Sequence, residues 1–242
     1  MTYVAGVDGC RTGWLCVLRR VDEVGHEEAF IVDLFEKLLS HPASPAVIAV
    51  DIPIGLPDRV LGPGRGCDAL VRAKLGKRAA AVFAIPSRAA LSAAGYASAC
   101  EEALATSYPA RRISKQVFHL FPKIREVDAL MTPEMQDRVY ECHPEAAFWA
   151  MNGQLPLVEP KKLAGRSNFE GLRVRRELLA AEGFAHGFLA GTRFKRAEAG
   201  EDDFLDACAC AWSAARILRG KAIRFPAAPP FDPKGLRMEI FA

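Results

Sequence analysis

The chain of 242 residues is predicted to have an α/β fold, with helices on both faces of one mixed, five-stranded sheet. Two short apolar runs, at residues 4–7 and 47–50, have the composition of buried strands. Turn residues separate the first run from two further strand patterns, and together these predict an antiparallel meander. Strand and helix patterns then alternate, which is the order expected for a sheet covered on both faces.

The individual elements follow from this pattern in chain order. Strands are predicted over residues 3–8, 14–18 and 29–32, followed by a helix over 34–39 and a central strand over 47–51. A fifth strand is expected over 139–142, and a helix begins at Pro144, because proline favours the first helical position. The last long helix is predicted from about residue 202 to 219, where Gly220 ends it.

The segment between the fourth and fifth strands is predicted to be a mainly helical, basic insertion. We place it at about residues 58–136 of a single domain that spans 1–242. Residues 59–125 contain twelve Lys or Arg and three acids, a net charge of +9, whereas the whole chain carries +3. Such an asymmetry predicts a cationic surface beside an anionic site.

The cysteines predict a reduced, cytoplasmic protein without a disulfide-linked partner. There are seven of them, an odd number, and no Cys-x-x-Cys pair occurs. Cys208 and Cys210 lie in an Ala-rich pattern in which thiols behave as small apolar residues. The apolar runs are too short to cross a bilayer, so no membrane contact is expected.

Four aspartates are the main candidates for a functional site. Asp8 and Asp51 end the two apolar strands, and Asp203 and Asp206 share one face of an apolar helix. Buried charges must be paired or bound to metal, and no Lys or Arg follows within six residues of Asp206. This pattern predicts a divalent-metal site. Asp202 is a rival ligand, and separate capping or turn roles are the other interpretation.

A second acidic group lies at the predicted fifth strand. Glu141 either reaches the same site as a catalytic residue or belongs to the start of the next helix. Glu145 favours the second interpretation, because acids stabilise the N-terminal end of a helix. His143, between them, is either a proton shuttle or a structural residue.

Four basic residues are candidates for substrate binding. Arg72, Lys77 and Arg78 lie close together in the insertion and either bind phosphates or form a solvated helix face. Arg11 lies in the turn after Asp8, where backbone N–H groups can hold an anion.

Several motifs, in order along nearly the whole chain, resemble a domain-of-unknown-function family described as predicted RNase H-like nucleases. The motifs are Gly6-Val7-Asp8-Gly9-Cys10-Arg11-x-Gly13-Trp14, Asp51-Ile52-Pro53-Ile54-Gly55-Leu56-Pro57, Cys67-Asp68-x-x-x-Arg72, Leu75-Gly76-x-Arg78, Lys123-Ile124-x-Glu126-Val127-Asp128, Glu141-x-His143-Pro144-Glu145 and Asp203-x-x-Asp206-Ala207.

The resemblance implies a ribonuclease H-like fold, in which acids come from the first strand, the fourth strand and the last helix. It therefore implies Asp8, Asp51, and Asp203 with Asp206 as metal ligands and catalytic residues. The last motif is also similar to the final helix of Holliday-junction resolvases. The chain departs from that pattern by having Asp51 where a Glu is usual, and by its long insertion.

Three functions are compatible with these patterns. The first is a metal-dependent nuclease with two Mg²⁺ or Mn²⁺ ions about 3.5–4 Å apart, bridged by Asp8, in which the insertion holds DNA or RNA. The second is a relative of actin- or hexokinase-like phosphotransferases, because Asp8-Gly9-x-x-x-Gly13 is similar to their first phosphate loop. The third is a catalytically silent nucleic-acid-binding scaffold.

Overall fold

The computed structural model describes residues 1–23, 25–190 and 193–242. The strands are β1 (Tyr3–Cys10), β2 (Gly13–Arg20), β3 (Glu27–Val32), β4 (Val47–Val50), β5 (Val60–Leu61), β6 (Ser107–Tyr108), β7 (Val139–Glu141), β8 (Lys162–Leu163), β9 (Arg166–Ser167), β10 (Arg224–Phe225) and β11 (Ile240–Phe241). The helices are α1 (Phe35–Leu39), α2 (Gly66–Lys74), α3 (Arg88–Ser92), α4 (Tyr96–Ala105), α5 (Lys115–Leu130), α6 (Pro144–Met151), α7 (Phe169–Ala181), α8 (His186–Leu189) and α9 (Glu201–Leu218), with 3₁₀ turns at Gly76–Ala81 and Glu134–Asp137.

The main sheet has the strand order β3-β2-β1-β4-β7, which confirms the predicted five-stranded mixed sheet. The meander β1–β2–β3 is antiparallel, and β4 runs parallel to both β1 and β7. This topology is consistent with a ribonuclease H-like fold. β2 is longer than predicted because its polar end also pairs: Arg19 lies opposite Glu27, and Arg20 opposite Tyr3.

Helices cover both faces of the sheet, as predicted. One core forms between the sheet and α6, α7, α8 and α9, and the other between the opposite face and α1, α3, α4 and α5. Gly6 on β1 allows α9 to approach closely, because a Cβ there would lie 1.9 Å from the backbone nitrogen of Ala211. The same close contact brings the first turns of α9 to the end of β1.

The segment between β4 and β7 is mainly helical, in agreement with the sequence. Its longest helix, α5, packs Phe121 and Ile124 into the second core. Lys123, from the same helix, donates a hydrogen bond to the carbonyl of Gly13 and lies 4.2 Å from the ring centroid of Trp14. These contacts hold the segment against the turn between β1 and β2.

All seven cysteines are buried free thiols. Within the described ranges, no helix is both long enough and apolar enough to cross a membrane. The cytoplasmic location stays a prediction.

Candidate metal centre

Three of the four aspartates converge at one edge of the main sheet. Val7 pairs with Val50 across the parallel strands β1 and β4, so Asp8 and Asp51 follow side by side. The amide of Asp51 continues the pairing by donating to the carbonyl of Val7 at 2.9 Å. Asp206 comes from α9, and one carboxylate oxygen from each of the three aspartates lies within 4.8 Å of the others. The carboxyl ends of neighbouring parallel strands are a favoured place for sites in α/β sheets.

The surroundings of Asp8 and Asp51 disfavour their bare charges. Burial raises the pKa of Asp8 well above its usual value, and the negative charges of Asp51 and Asp203 raise it further, whereas Lys161 opposes the rise. Burial likewise raises the pKa of Asp51, against the opposing charges of His143 and Lys161. Carboxyls in this situation gain a proton or a cation.

Asp206 provides a buried oxygen that has no hydrogen-bond partner among the residues that the structure describes. The residue is 1 % exposed. Its Oδ2 accepts a hydrogen bond from the ammonium of Lys161, while its Oδ1 is buried and accepts none. Leaving a buried acceptor unpaired costs about 1–3 kcal/mol. Three carboxylates with one unsatisfied oxygen therefore fit a hard divalent ion, which prefers oxygen ligands.

Asp203 and Asp202 lie outside this group of three. The Oδ2 atom of Asp203 accepts a hydrogen bond from the amide of Gly200 at 2.7 Å, at the start of α9. Asp202 forms an ion pair with Lys162 at 2.5 Å. Asp203 is still close enough for its charge to raise the pKa of Asp8. Its role as a metal ligand stays a prediction.

Glu141 lies near Asp8 and Asp51, in the wall of the cavity described below, and it is held by a buried ion pair. Its Oε1 lies 2.5 Å from Nη2 of Arg65, and its Oε2 accepts a hydrogen bond from the amide of Ile54 at 2.7 Å. The same guanidinium contacts Asp68 at 2.7 Å. Burial raises the pKa of Glu141 to about 7, and Arg65 opposes this rise. Its visible contacts are structural, and its catalytic role stays a prediction.

The four basic candidates are not among the residues that line this cavity. Arg11 is exposed at the turn between β1 and β2. Arg72 uses its guanidinium to donate to the carbonyl of Val82 at 3.1 Å. Lys77 is exposed and Arg78 is half-buried. Substrate binding by these residues would have to occur outside the cavity, and it stays a prediction.

A cavity of about 350 Å³ opens beside Asp8 and Asp51. Much of its wall comes from the segment between β4 and β7, including the apolar residues Val82, Phe83, Ile85 and Leu120. Lys123 and Lys161 also line it. An acidic end, an apolar wall and flanking cations suit a ligand that has both an anionic and an aromatic part.

The expectation that no cation lies near the acids is wrong. Lys161 and Lys162 approach Asp206 and Asp202 from the hairpin β8–β9. The hairpin turns through Ala164 and Gly165, which both have positive φ, 48° and 75°. This is the backbone of a two-residue turn of the primed type. The spacing around Asp206 gave no sign of these lysines, because they are distant in sequence.

Glu145 is a further acid, for which the sequence interpretation favoured a role at the start of a helix. It is 4 % exposed and lines the cavity. Its Oε1 accepts from Nη2 of Arg175 at 2.6 Å, and its Oε2 is buried without a partner. Its charge also raises the pKa of Asp51. The motif Glu141-x-His143-Pro144-Glu145 was the signal that could have identified it.

The sequence model of one family, described as "Protein of unknown function (DUF429)", matches residues 6–230. No curated protein and no solved structure shows significant similarity to the chain.

Proposed function

We propose that this chain, which belongs to the DUF429 family of proteins of unknown function, is a divalent-metal-dependent nuclease. One observation carries this proposal. Oxygens of Asp8, Asp51 and Asp206 lie within 4.8 Å of one another, and Oδ1 of Asp206 is buried without a partner. Such a group attracts a divalent cation, and the adjoining cavity has room for a substrate.

Asp8, Asp51 and Asp206 would hold Mg²⁺ or Mn²⁺. An ion at this place would activate water and stabilise negative charge on the leaving oxygen. Hydrolysis joins a water oxygen to phosphorus and breaks the bond to the leaving sugar oxygen, which takes up a proton. Lys123, on the cavity wall, attracts the anionic phosphodiester.

The cavity favours a single strand, or a strand end, over an intact duplex. Its wall encloses a space of about 350 Å³, which suits one small unit of a polymer rather than a continuous double helix. Phe83 is 39 % exposed and lines this space. Exposed aromatic rings bind single strands by stacking on bases, without sequence preference and for DNA and RNA alike.

The phosphotransferase alternative depends on free N–H groups in the turn after Asp8. The amide of Gly9 instead donates to Oδ1 of Asp8 at 2.7 Å. The amide of Arg11 donates to the carbonyl of Glu198 at 3.1 Å. With these two donors engaged, the turn does not favour phosphate binding. The silent-scaffold alternative differs from the nuclease in predicting no turnover.

Hydrolysis of fluorescent single-stranded DNA and RNA tests the proposal. We expect cleavage in Mg²⁺ or Mn²⁺, none in EDTA, and slower cleavage of blunt duplexes of the same sequence. In the same assay, Phe83→Ala should weaken binding of the single strand by about 1–3 kcal/mol, the value of one stacked base. Tyr108→Ala is the matched control, because Tyr108 is 75 % exposed but is not among the cavity-lining residues.

Each outcome of this assay bears on a different claim. Binding of nucleic acid without metal-dependent cleavage would favour the scaffold. No cleavage of either polymer, together with binding of free nucleotides in a separate titration, would favour the phosphotransferase. Equal effects of the two aromatic substitutions would refute the role of the cavity in substrate binding.

A further inference from the structure

The ammonium of Lys161 lies against the three-aspartate group. It donates to Oδ2 of Asp206, and its side chain is only 27 % exposed. Its positive charge also lowers the pKa of both Asp8 and Asp51 against the effect of burial. One lysine therefore acts on all three carboxylates, although it contacts only one of them directly.

The backbone that carries Lys161 is anchored at the residue itself and at the two residues before it. Asn168 donates through its Nδ2 to the carbonyl of Pro160 at 2.8 Å, and through its amide to the carbonyl of Lys161 at 2.9 Å. The Arg175 guanidinium donates to the carbonyl of Glu159 at 3.0 Å.

Gly171 adds steric fit to these bonds. A Cβ at this position would lie 2.0 Å from the carbonyl oxygen of Pro160, so only glycine allows α7 to pack so closely on the segment. Together with the hydrogen bonds, this contact fixes the backbone from which the Lys161 side chain extends.

We propose that Lys161 holds the place of a second cation, so that the centre takes one divalent ion together with one ammonium. The inference rests on the proposed metal-dependent function and replaces the expectation of two ions. Three carboxylates carry a charge of −3. One divalent ion and one lysine balance this charge, whereas two divalent ions beside the same lysine would exceed it by two.

The two carboxylate oxygens of Asp206 are consistent with one ammonium and one divalent ion at the centre. Its Oδ2 is occupied by Lys161, whereas its Oδ1 is buried and has no partner. Asp206 therefore offers one oxygen to the ammonium and one to an ion. Asp8 and Asp51 supply the remaining acidic oxygens of the group.

Calorimetric titration of Mn²⁺ into the metal-free protein, without nucleic acid, tests the inference. We expect one ion per chain for the wild type and two for Lys161→Met, which frees Oδ2 of Asp206 and removes the balancing charge. Lys161→Arg keeps the charge and should bind one ion. Lys162→Met is the matched control: Lys162 is the neighbouring residue, pairs with Asp202 outside the group, and should not change the stoichiometry.

The outcomes separate this inference from the proposed function. Two ions in the wild type would overturn the role of Lys161 and leave the metal site intact. One ion in Lys161→Met, bound as in the wild type, would also overturn it. No binding to any variant would overturn both the inference and the metal-dependent function. The wild-type stoichiometry decides even if Lys161→Met fails to fold.

Discussion

Asp8→Asn is expected to abolish metal-dependent hydrolysis while leaving the metal-free protein as stable as the wild type, or more stable. The substitution removes one charge from three crowded carboxylates, which relieves repulsion in EDTA. Asn keeps an Oδ1 atom that can accept the hydrogen bond from Gly9, so the turn is preserved. Loss of several kcal/mol of transition-state stabilisation should lower the rate by about 10³-fold or more.

Denaturant melts in EDTA and in Mg²⁺ measure the stability part of this prediction. A ligand at a hundredfold excess over its Kd stabilises the wild type by about 2.7 kcal/mol, and Asp8→Asn should lose most of that gain. Asp33→Asn is the control, because Asp33 is exposed, forms an ion pair with Lys37 and, like Asp8, accepts a hydrogen bond from the amide of the next residue, Leu34. If Asp8 were only a turn residue, Asn would keep the hydrogen bond from Gly9 but lose its charge assistance, which would cost about 1 kcal/mol equally in both conditions.

The pH dependence of stability gives a second readout of Asp8. The pKa of Asp8 in the folded protein is raised above the ordinary value of 3.8. Between pH 3.8 and the raised pKa, the folded state therefore binds more protons than the unfolded state. The resulting stabilisation is fully present below about pH 3.8 and is lost as the pH rises through the raised pKa. In EDTA, this loss should be smaller in Asp8→Asn than in the wild type.

Arg65→Met should be the most destabilising substitution in the wall of the cavity. The Arg65 side chain is 1 % exposed and pairs with both Glu141 and Asp68. Without it, two buried carboxylates lose their cation, which typically costs about 3–5 kcal/mol. Loss of the pair also loosens the loop at Ile54, whose amide and carbonyl bind the same network.

Arg72→Met is the matched control for this substitution. Arg72 lies on α2, the helix that begins directly after Arg65, is half-buried, and has the carbonyl of Val82 as its hydrogen-bond acceptor. We expect it to cost about 0.5–1.5 kcal/mol, the net value of an ordinary hydrogen bond. Equal destabilisation by the two substitutions in urea melts would show that the buried pair is not a major support of the cavity.

The sheet and all three converging aspartates could be predicted, because strand pairing places Asp8 beside Asp51 and the apolar pattern of α9 carries Asp206. An apolar strand that ends in an acid predicts both the strand and the place of Asp8 and Asp51. The helix α9 was also clear from its sequence. Its spacing placed Asp203 on the same face as Asp206. In the structure Asp203 accepts a hydrogen bond from the amide of Gly200 at the helix start, and its role as a metal ligand stays a prediction.

The contacts that complete the centre could not be predicted, because they join residues far apart in the chain. Lys161 reaches Asp206 across 45 residues, and Arg65 reaches Glu141 across 76. Hydrophobic periodicity describes which face of an element is buried, and it carries no information about which distant side chain meets that face. Counting charges along the sequence therefore could not identify Lys161 as a neighbour of Asp206, or Arg65 as the partner of Glu141.

Anomalous diffraction from a crystal soaked in Mn²⁺ tests the central claim most directly. The claim predicts an anomalous peak between the carboxylate oxygens of Asp8, Asp51 and Asp206, and loss of that peak in Asp8→Asn. Ordered Mn²⁺ only at other acidic residues, with these three carboxylates free of metal, would contradict it.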